Sequence, residues 1–444
     1  MRVSRLLVLV VVACIAAPAR ADQLSDDDLR RKNEGGYVTG VPLFAYSEDF
    51  GLGGGARGYY YWNGARTDAR FAVTPYLARV FLNLFATTRG VQYHWLDLDA
   101  PRAFSSRYRV RAQLVLARNL FSNYFGFDED GRGPLHFPGA SRTFDRYTDY
   151  DTAQRRIVGG ETYTRYDQYD QLRPAAITSI ERDLGTHLRV LGGFTLSYVR
   201  IRDYTGRSVD ATAAGGASTT APEAPTRLRE DCDRGVLVGC TGGRDHTLRL
   251  GLVYDTRDFE PDPNRGVYAD LAIDVGTVAI GSEFDYVRAL LAVRGYWSPV
   301  PDAADIVIAG RVLIQAQTAG TPFFSMDVLP FVEDPRTGLG GHRTMRGVRQ
   351  SRFVDHAMSA VSGEVRWTFA RTTIKRQKLA FIGAPFVDAG RAADDRVGLA
   401  RLPRWRASTG AAFRVSWNIA TIGTFDYGFS EEGSGIYVNF GHVF

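Results

Sequence analysis

Three cysteines, seven histidines and a glycine-rich octapeptide are the first places to look for chemistry in this chain. Cys14 lies in an N-terminal apolar run, whereas Cys232 and Cys240 share one polar stretch. In an oxidising compartment, two cysteines so close in sequence form a disulfide that staples a loop tip. A metal centre would want more ligands, and only His246 is near them. The histidines (His94, His136, His187, His246, His342, His356 and His442) show no ligand spacing. No Gly-x-Ser-x-Gly elbow and no Cys/His pair suggests a nucleophile, so no catalytic residue, metal or cofactor is assigned and the chain reads as a non-enzyme. Gly51-Leu52-Gly53-Gly54-Gly55-Ala56-Arg57-Gly58 looks superficially like a phosphate-cradling loop. Such a loop must open a helix, but Tyr59-Tyr60-Tyr61-Trp62 follows, which reads as a strand entering an aromatic girdle. The glycines are read as small residues where that strand passes close to another backbone.

The elements that carry these residues are strands. From Gly435 the chain reads Gly-Ile-Tyr-Val-Asn-Phe-Gly-His-Val-Phe, with Ile436, Val438, Phe440 and Phe444 on one face. Alternation over about ten residues is the pattern of a lipid-spanning strand. A strand that closes a barrel leaves no open edge to aggregate. Phe440 and Phe444 are therefore read as the C-terminal signal of an outer-membrane barrel, and His442 as a headgroup-level residue. At the other end, Arg2 and Arg5, the apolar run from Leu6 to Ala17, and Ala19-Arg20-Ala21 make residues 1–21 a signal peptide. Val11-Val12-Ala13-Cys14 also fits a lipoprotein box that would leave Cys14 acylated; the apolar run continuing past Cys14 favours the first reading. Beyond the leader no apolar run reaches the ~18 residues of a transmembrane helix.

Composition agrees. Forty-seven Gly, 22 Tyr, 26 Phe and four Met suit tight turns and aromatic girdles better than a helical core. The net charge of +5 is mild, and export argues against nucleic acid as a partner. Tyr108, Val110, Ala112, Leu114 and Leu116 alternate with Arg109, Arg111 and Gln113; Leu248 to Tyr254 and Leu188 to Leu196 behave alike. Either a soluble sandwich or a barrel produces that alternation, and the leader with the terminal strand decides for the barrel. The expectation is an all-β, transmembrane antiparallel β-barrel of about 16 strands. The expected spans are 37–47, 51–62, 68–80, 84–98, 106–119, 165–183, 187–203, 244–257, 265–277, 283–297, 305–318, 359–371, 377–390, 404–417, 421–430 and 435–444. Long connections at 120–164, 204–244 and 319–359 then fall on one side, the outside. Residues 22–36 form a short periplasmic tail and 37–444 the barrel, with Ala211 to Pro225 as a mobile outer loop.

Four segments in the last two hundred residues resemble the BamA/TamA family, the bacterial surface antigen family. They are Tyr254-Asp255-Thr256-Arg257-Asp258 with Pro263 and Gly266; Gly340-Gly341 with Met345-Arg346-Gly347-Val348 and Phe353; Phe386-Val387-Asp388-Ala389-Gly390; and Ser408-Thr409-Gly410 through Asp426-Tyr427-Gly428 to Phe444. The resemblance covers residues 245–444 and implies a barrel that moves or inserts protein or lipid at the outer membrane without cofactor. It also implies an inward-folded sixth loop whose tip Arg pairs with an acid on each of two strands. Those positions are Arg346, followed by Gly347, and Glu364 and Asp388. Parity agrees, because Glu364 alternates with the lipid-side Val361, Val365 and Trp367. A desolvated guanidinium wants carboxylates in good geometry. Val348 departs from the family's aromatic at that place, and the periplasmic modules are missing, so a barrel-only member is expected. Expected partners are outer-membrane lipid and periplasmic proteins, not nucleic acid. A diffusion porin is the alternative, a barrel-borne hydrolase the third.

Overall fold

The protein's computed structural model describes residues 32–444 except 48–49, 73, 75, 104–105, 128–131, 261, 301–303, 333–335, 375–376, 395–403 and 418–420. The expected leader, lipoprotein box and most of the 22–36 tail lie outside the described residues. The barrel strands are β1 (Gly36–Ser47), β2 (Gly51–Trp62), β3 (Ala78–Thr87), β4 (Val91–Ala103), β5 (Tyr108–Asn123), β6 (Gln168–Asp183) and β7 (Leu188–Arg202). A split β8 (Gly242–Arg244 and Thr247–Asp255) precedes β9 (Gly266–Gly276), β10 (Tyr286–Trp297), β11 (Ile306–Gln317) and β12 (Ala357–Ile374). The chain finishes with β13 (Gln377–Ala393), β14 (Arg406–Trp417), β15 (Thr421–Ser430) and β16 (Ser434–Phe440). Seventeen segments share the sheet and two of them form β8, so the barrel has sixteen strands. Consecutive strands pair antiparallel, and β1 meets β16 at Tyr46↔Val438.

The charge distribution fixes which way the wall faces. On β4, Leu96 and Leu98 are more than 40% exposed while the interleaved Asp97 and Asp99 are buried. A soluble protein would do the reverse. Apolar residues outside and charged residues inside are stable only when lipid surrounds the wall. Inside, the charges find partners: Arg109 grips both oxygens of Asp99 at 2.7 and 2.6 Å, and Arg249 both oxygens of Asp274 at 2.6 and 2.9 Å. Among the described residues no helix is long and apolar enough to cross a membrane; the crossing is made by strands.

The connections at 124–167, 203–241 and 318–356 all follow odd-numbered strands and share one rim. Two of them pack together. Helices α1 (Tyr147–Gln154) and α2 (Arg227–Asp233) converge on Asp167, which accepts from the Tyr150 hydroxyl at 2.5 Å, Gln154 Nε2 at 3.1 Å and Arg227 Nε at 3.0 Å. Phe125, Phe137, Phe144, Tyr150 and Tyr166 form an apolar core beside them. Cys232, in the last turn of α2, is disulfide-bonded to Cys240 beyond it, across 6.0 Å between Cα atoms. Protein isolated from the envelope without reductant should therefore take up no maleimide; labelling of both cysteines before reduction would contradict the pairing.

Three expectations are corrected. The third and fourth strands lie at 78–87 and 91–103, not 68–80 and 84–98. Ala69–Ala72 is instead a short 3-10 turn, with Asp68 accepting from the Arg70 backbone at 2.9 Å and Lys32 Nζ donating to Phe71 and Thr74 carbonyls. The inward Phe81 disguised the alternation of Val80, Leu82 and Leu84 on the lipid face. Second, β16 stops at Phe440, and Gly441 (φ 82°) turns the chain inward. Phe440 stays on the lipid face, but Val443 and Phe444 are buried with Tyr296, Val307 and Ala309. Third, Ala211 to Pro225 is not a loose loop: Ser208–Thr212 pairs with Ser218–Pro222, and Ala211, Ala221 and Glu223 are buried.

Candidate functional site

The inward faces of β12, β13 and β14 bring a guanidinium cluster to one place. Glu364 lies on β12 with Arg366 two residues on, Asp388 on β13, and Arg414 on β14; alternation puts all four inside. Arg346, from the 318–356 connection, reaches them. Its Nη1 donates to Glu364 Oε1 at 2.8 Å, and its Nε and Nη2 grip the two oxygens of Asp388 at 2.9 and 3.1 Å. Its backbone N–H also points at Asp388, and its guanidinium lies 3.3 Å above the Phe386 ring. Arg346 is fully buried. Glu364 serves three cations, taking two further bonds from Arg414 at 2.9 and 2.7 Å and one from Arg366 at 3.0 Å. Arg366 and Arg414 escaped the sequence reading, although they share the parity of Glu364.

Glycines make room for the tip. Gly347 sits at φ 88°, and a Cβ there would come within 2.6 Å of the β15 backbone at Gly428 and Phe429. On Gly428, a Cβ would strike Arg346 at 2.7 Å; on Gly390, the Met345 sulfur at the same distance. The Gly347 N–H donates to the Tyr437 hydroxyl of β16 at 2.9 Å, and Ser430 of β15 donates to its carbonyl at 2.8 Å. Val348, where an aromatic was expected, is buried with Leu339, Met345 and Phe353.

Further contacts run along the same segment. His342 Nε2 lies 2.9 Å from Asp426 of β15, and burial holds the His342 pKa down. Arg352 grips Glu432 in the β15–β16 turn at 2.9 and 3.0 Å. Val332 N–H donates to Asp270 of β9, and Arg288 of β10 to the Ser325 carbonyl.

The tail closes the inner end of the cluster. His442 is buried, not at headgroup level: Arg414 Nη1 meets its Nδ1 at 2.7 Å, and its Nε2 meets Asp262, from the β8–β9 turn, at 2.8 Å. The Phe444 carbonyl accepts from Arg366 at 2.7 Å, and its ring lies beneath Arg311 and Arg366. Among the described residues there is no group of His, Cys, Asp and Glu able to hold a metal. The cluster is a network of buried ion pairs in which each oxygen of Glu364 and Asp388 accepts from at least one guanidinium.

Comparison with known proteins agrees with this fold. BamA from Haemophilus ducreyi lacking POTRA domains 1–3 superposes with a TM-score of 0.53 at 14% identity, over 92% of this chain and 69% of that one. CdiB from Escherichia coli gives 0.50 at 11% identity, over 91% of this chain and 62% of that one. At these identities the likeness is one of fold. A comparison with curated protein sequences finds no match. Residues 19–77 match a Domain of unknown function (DUF5982). Residues 104–444, well over half the chain, match the Omp85 superfamily domain, and the chain therefore belongs to the Omp85 superfamily, as an integral β-barrel of the bacterial outer membrane.

Proposed function

We propose that this barrel moves or inserts protein or lipid at the outer membrane without a cofactor, with the 318–356 segment folded into its lumen and anchored there by Arg346, Gly347, Glu364 and Asp388. Outer-membrane lipid surrounds it, and periplasmic proteins are its partners. The observation that carries the reading is the seam. β1 and β2 share twelve residue pairs and β15 and β16 share seven, but β1 and β16 share one, Tyr46↔Val438. Backbone groups left unpaired in lipid cost several kcal/mol each, so a seam of one pair is the place where this wall opens most easily. A pore for diffusion would gain nothing from a weak seam.

The test locks it. Tyr46→Cys with Val438→Cys places thiols on directly paired residues. Depletion of the wild-type protein should mislocalise an outer-membrane protein or lipid. The oxidised double variant should fail to restore it, and reductant should rescue. Full activity of the locked barrel, or depletion that changes only small-solute uptake, would favour a porin instead.

A further inference from the structure

We infer that the lumen wall of β1–β4 binds an extended, uncharged carbohydrate chain. The inference goes beyond the seam and rests on a file of rings that face inward. On β2 the tyrosines divide by parity: Tyr60 and Trp62 are exposed on the lipid side, while Tyr59 and Tyr61 face the lumen with Arg57. The lipid-side pair accounts for a girdle; the inner pair does not. Ring centroids continue from Tyr37 to Tyr61 at 5.0 Å, to Tyr59 at 5.6 Å, to Phe81 at 5.4 Å, to Trp95 at 5.3 Å and to Tyr93 at 4.8 Å. β1 rises from the periplasmic rim, so the file climbs from that rim into the lumen across four strands. All but Phe81 are only partly buried. The rest of the wall differs, because there the 318–356 segment packs against β5 and β6 and against strands from β9 round to β16.

Planar polar groups run beside the rings. Arg57 lies over Phe81 and Trp95 and donates to Asn83 Oδ1 at 3.0 Å. Arg79 lies over Phe81 and pairs with Asp97 at 2.8 Å, whose other oxygen accepts from Gln113 at 2.8 Å. Sugar rings present flat C–H faces to aromatic planes and hydroxyls at their edges to amides, carboxylates and guanidiniums. Asn83 and Asp97 are buried and hold the guanidiniums in place; the half-buried Arg57, Arg79, Tyr59 and Tyr61 present ring faces together with guanidinium and hydroxyl edges, and so offer both partners. An anionic lipid headgroup would want several cations to hold its charge, and of the two guanidiniums beside these rings Arg79 is spent on Asp97, while Arg57 bonds to Asn83 and the Tyr59 hydroxyl. An unfolded polypeptide would use an apolar pocket or a strand edge more than alternating rings and planar polar groups.

The test uses the full folded protein, with heat-dependent gel migration as the check on folding. Maltoheptaose, cellohexaose and dextran oligomers are titrated against tryptophan fluorescence and against current in planar bilayers. At least one should give a saturable response, and Tyr59→Ser with Tyr61→Ser should weaken it about tenfold or more, the scale of one aromatic stack. Tyr60→Ser, one residue away on the lipid face, should leave it unchanged. No saturable response to any of the three would overturn the inference. So would an equal loss in Tyr60→Ser, or a response only to an unfolded polypeptide or to anionic phospholipid. The seam variants touch none of these rings, so the two ideas fail separately.

Discussion

Arg346→Ala should destabilise the folded barrel by roughly 3–5 kcal/mol and free the 318–356 segment, because it leaves Asp388 buried without the cation that grips both its oxygens, while Glu364 keeps Arg366 and Arg414. The effect should read out as cleavage of that segment by external protease and as a lower unfolding midpoint. Arg346→Lys should rescue only in part, since an ammonium cannot span two carboxylates as a planar fork does. Glu364→Gln should be at least as damaging, because three guanidiniums share that one carboxylate. An Arg held only by solvent would make both Arg346 substitutions silent within about half a kcal/mol, and that result would remove the anchor.

The second large effect is expected from pH. His442 lies beyond the last strand, and its hydrogen bonds fit the neutral ring: Nδ1 accepts from Arg414, which cannot give up its proton, and Nε2–H donates to Asp262. Burial first, and then the nearby Arg366 cation, push its pKa down to about 4. Arg343 approaches its carbonyl, and Glu364 lies across Arg414. Asp262 is held below the usual carboxylate range and stays a competent acceptor as the pH falls. A histidine depressed in the folded state contributes stability that is complete above its unfolded value near 6.5 and is lost as pH falls towards 4. The loss should approach about 3 kcal/mol at 1.36 kcal/mol per unit. Hydrogen exchange at residues 441–444 should accelerate between pH 6.5 and 4, and His442→Gln should flatten that dependence. Exchange that does not change over this window would mean the tail is not held by the neutral ring.

Much of the wall was legible because alternation in a barrel is local. Leu96, Asp97, Leu98 and Asp99 show their faces in sequence whatever the neighbouring strands do. The same parity placed Glu364 and Asp388 inside, and the family motif supplied Arg346. What failed was non-local. Phe71 and Phe81 are apolar residues turned away from lipid, and no pattern within the strand distinguishes a ring for the lumen from a ring for the girdle. Gly441 looked like one more small residue in the last strand. Its positive φ turns Phe444 under two arginines that come from β11 and β12, more than seventy residues earlier. The sharing of Glu364 by Arg366 and Arg414 likewise depends on three strands meeting, although each residue's face was readable.

Electrical recording in planar bilayers reads out whether the lumen is closed by an anchored segment, as it must be if the barrel works through its wall. Wild-type protein should show small, unsteady currents, and Arg346→Ala should raise them and make them larger and longer-lived. A large, steady, ion-selective conductance in the wild type, unchanged by Arg346→Ala, would contradict the account and make the barrel a porin.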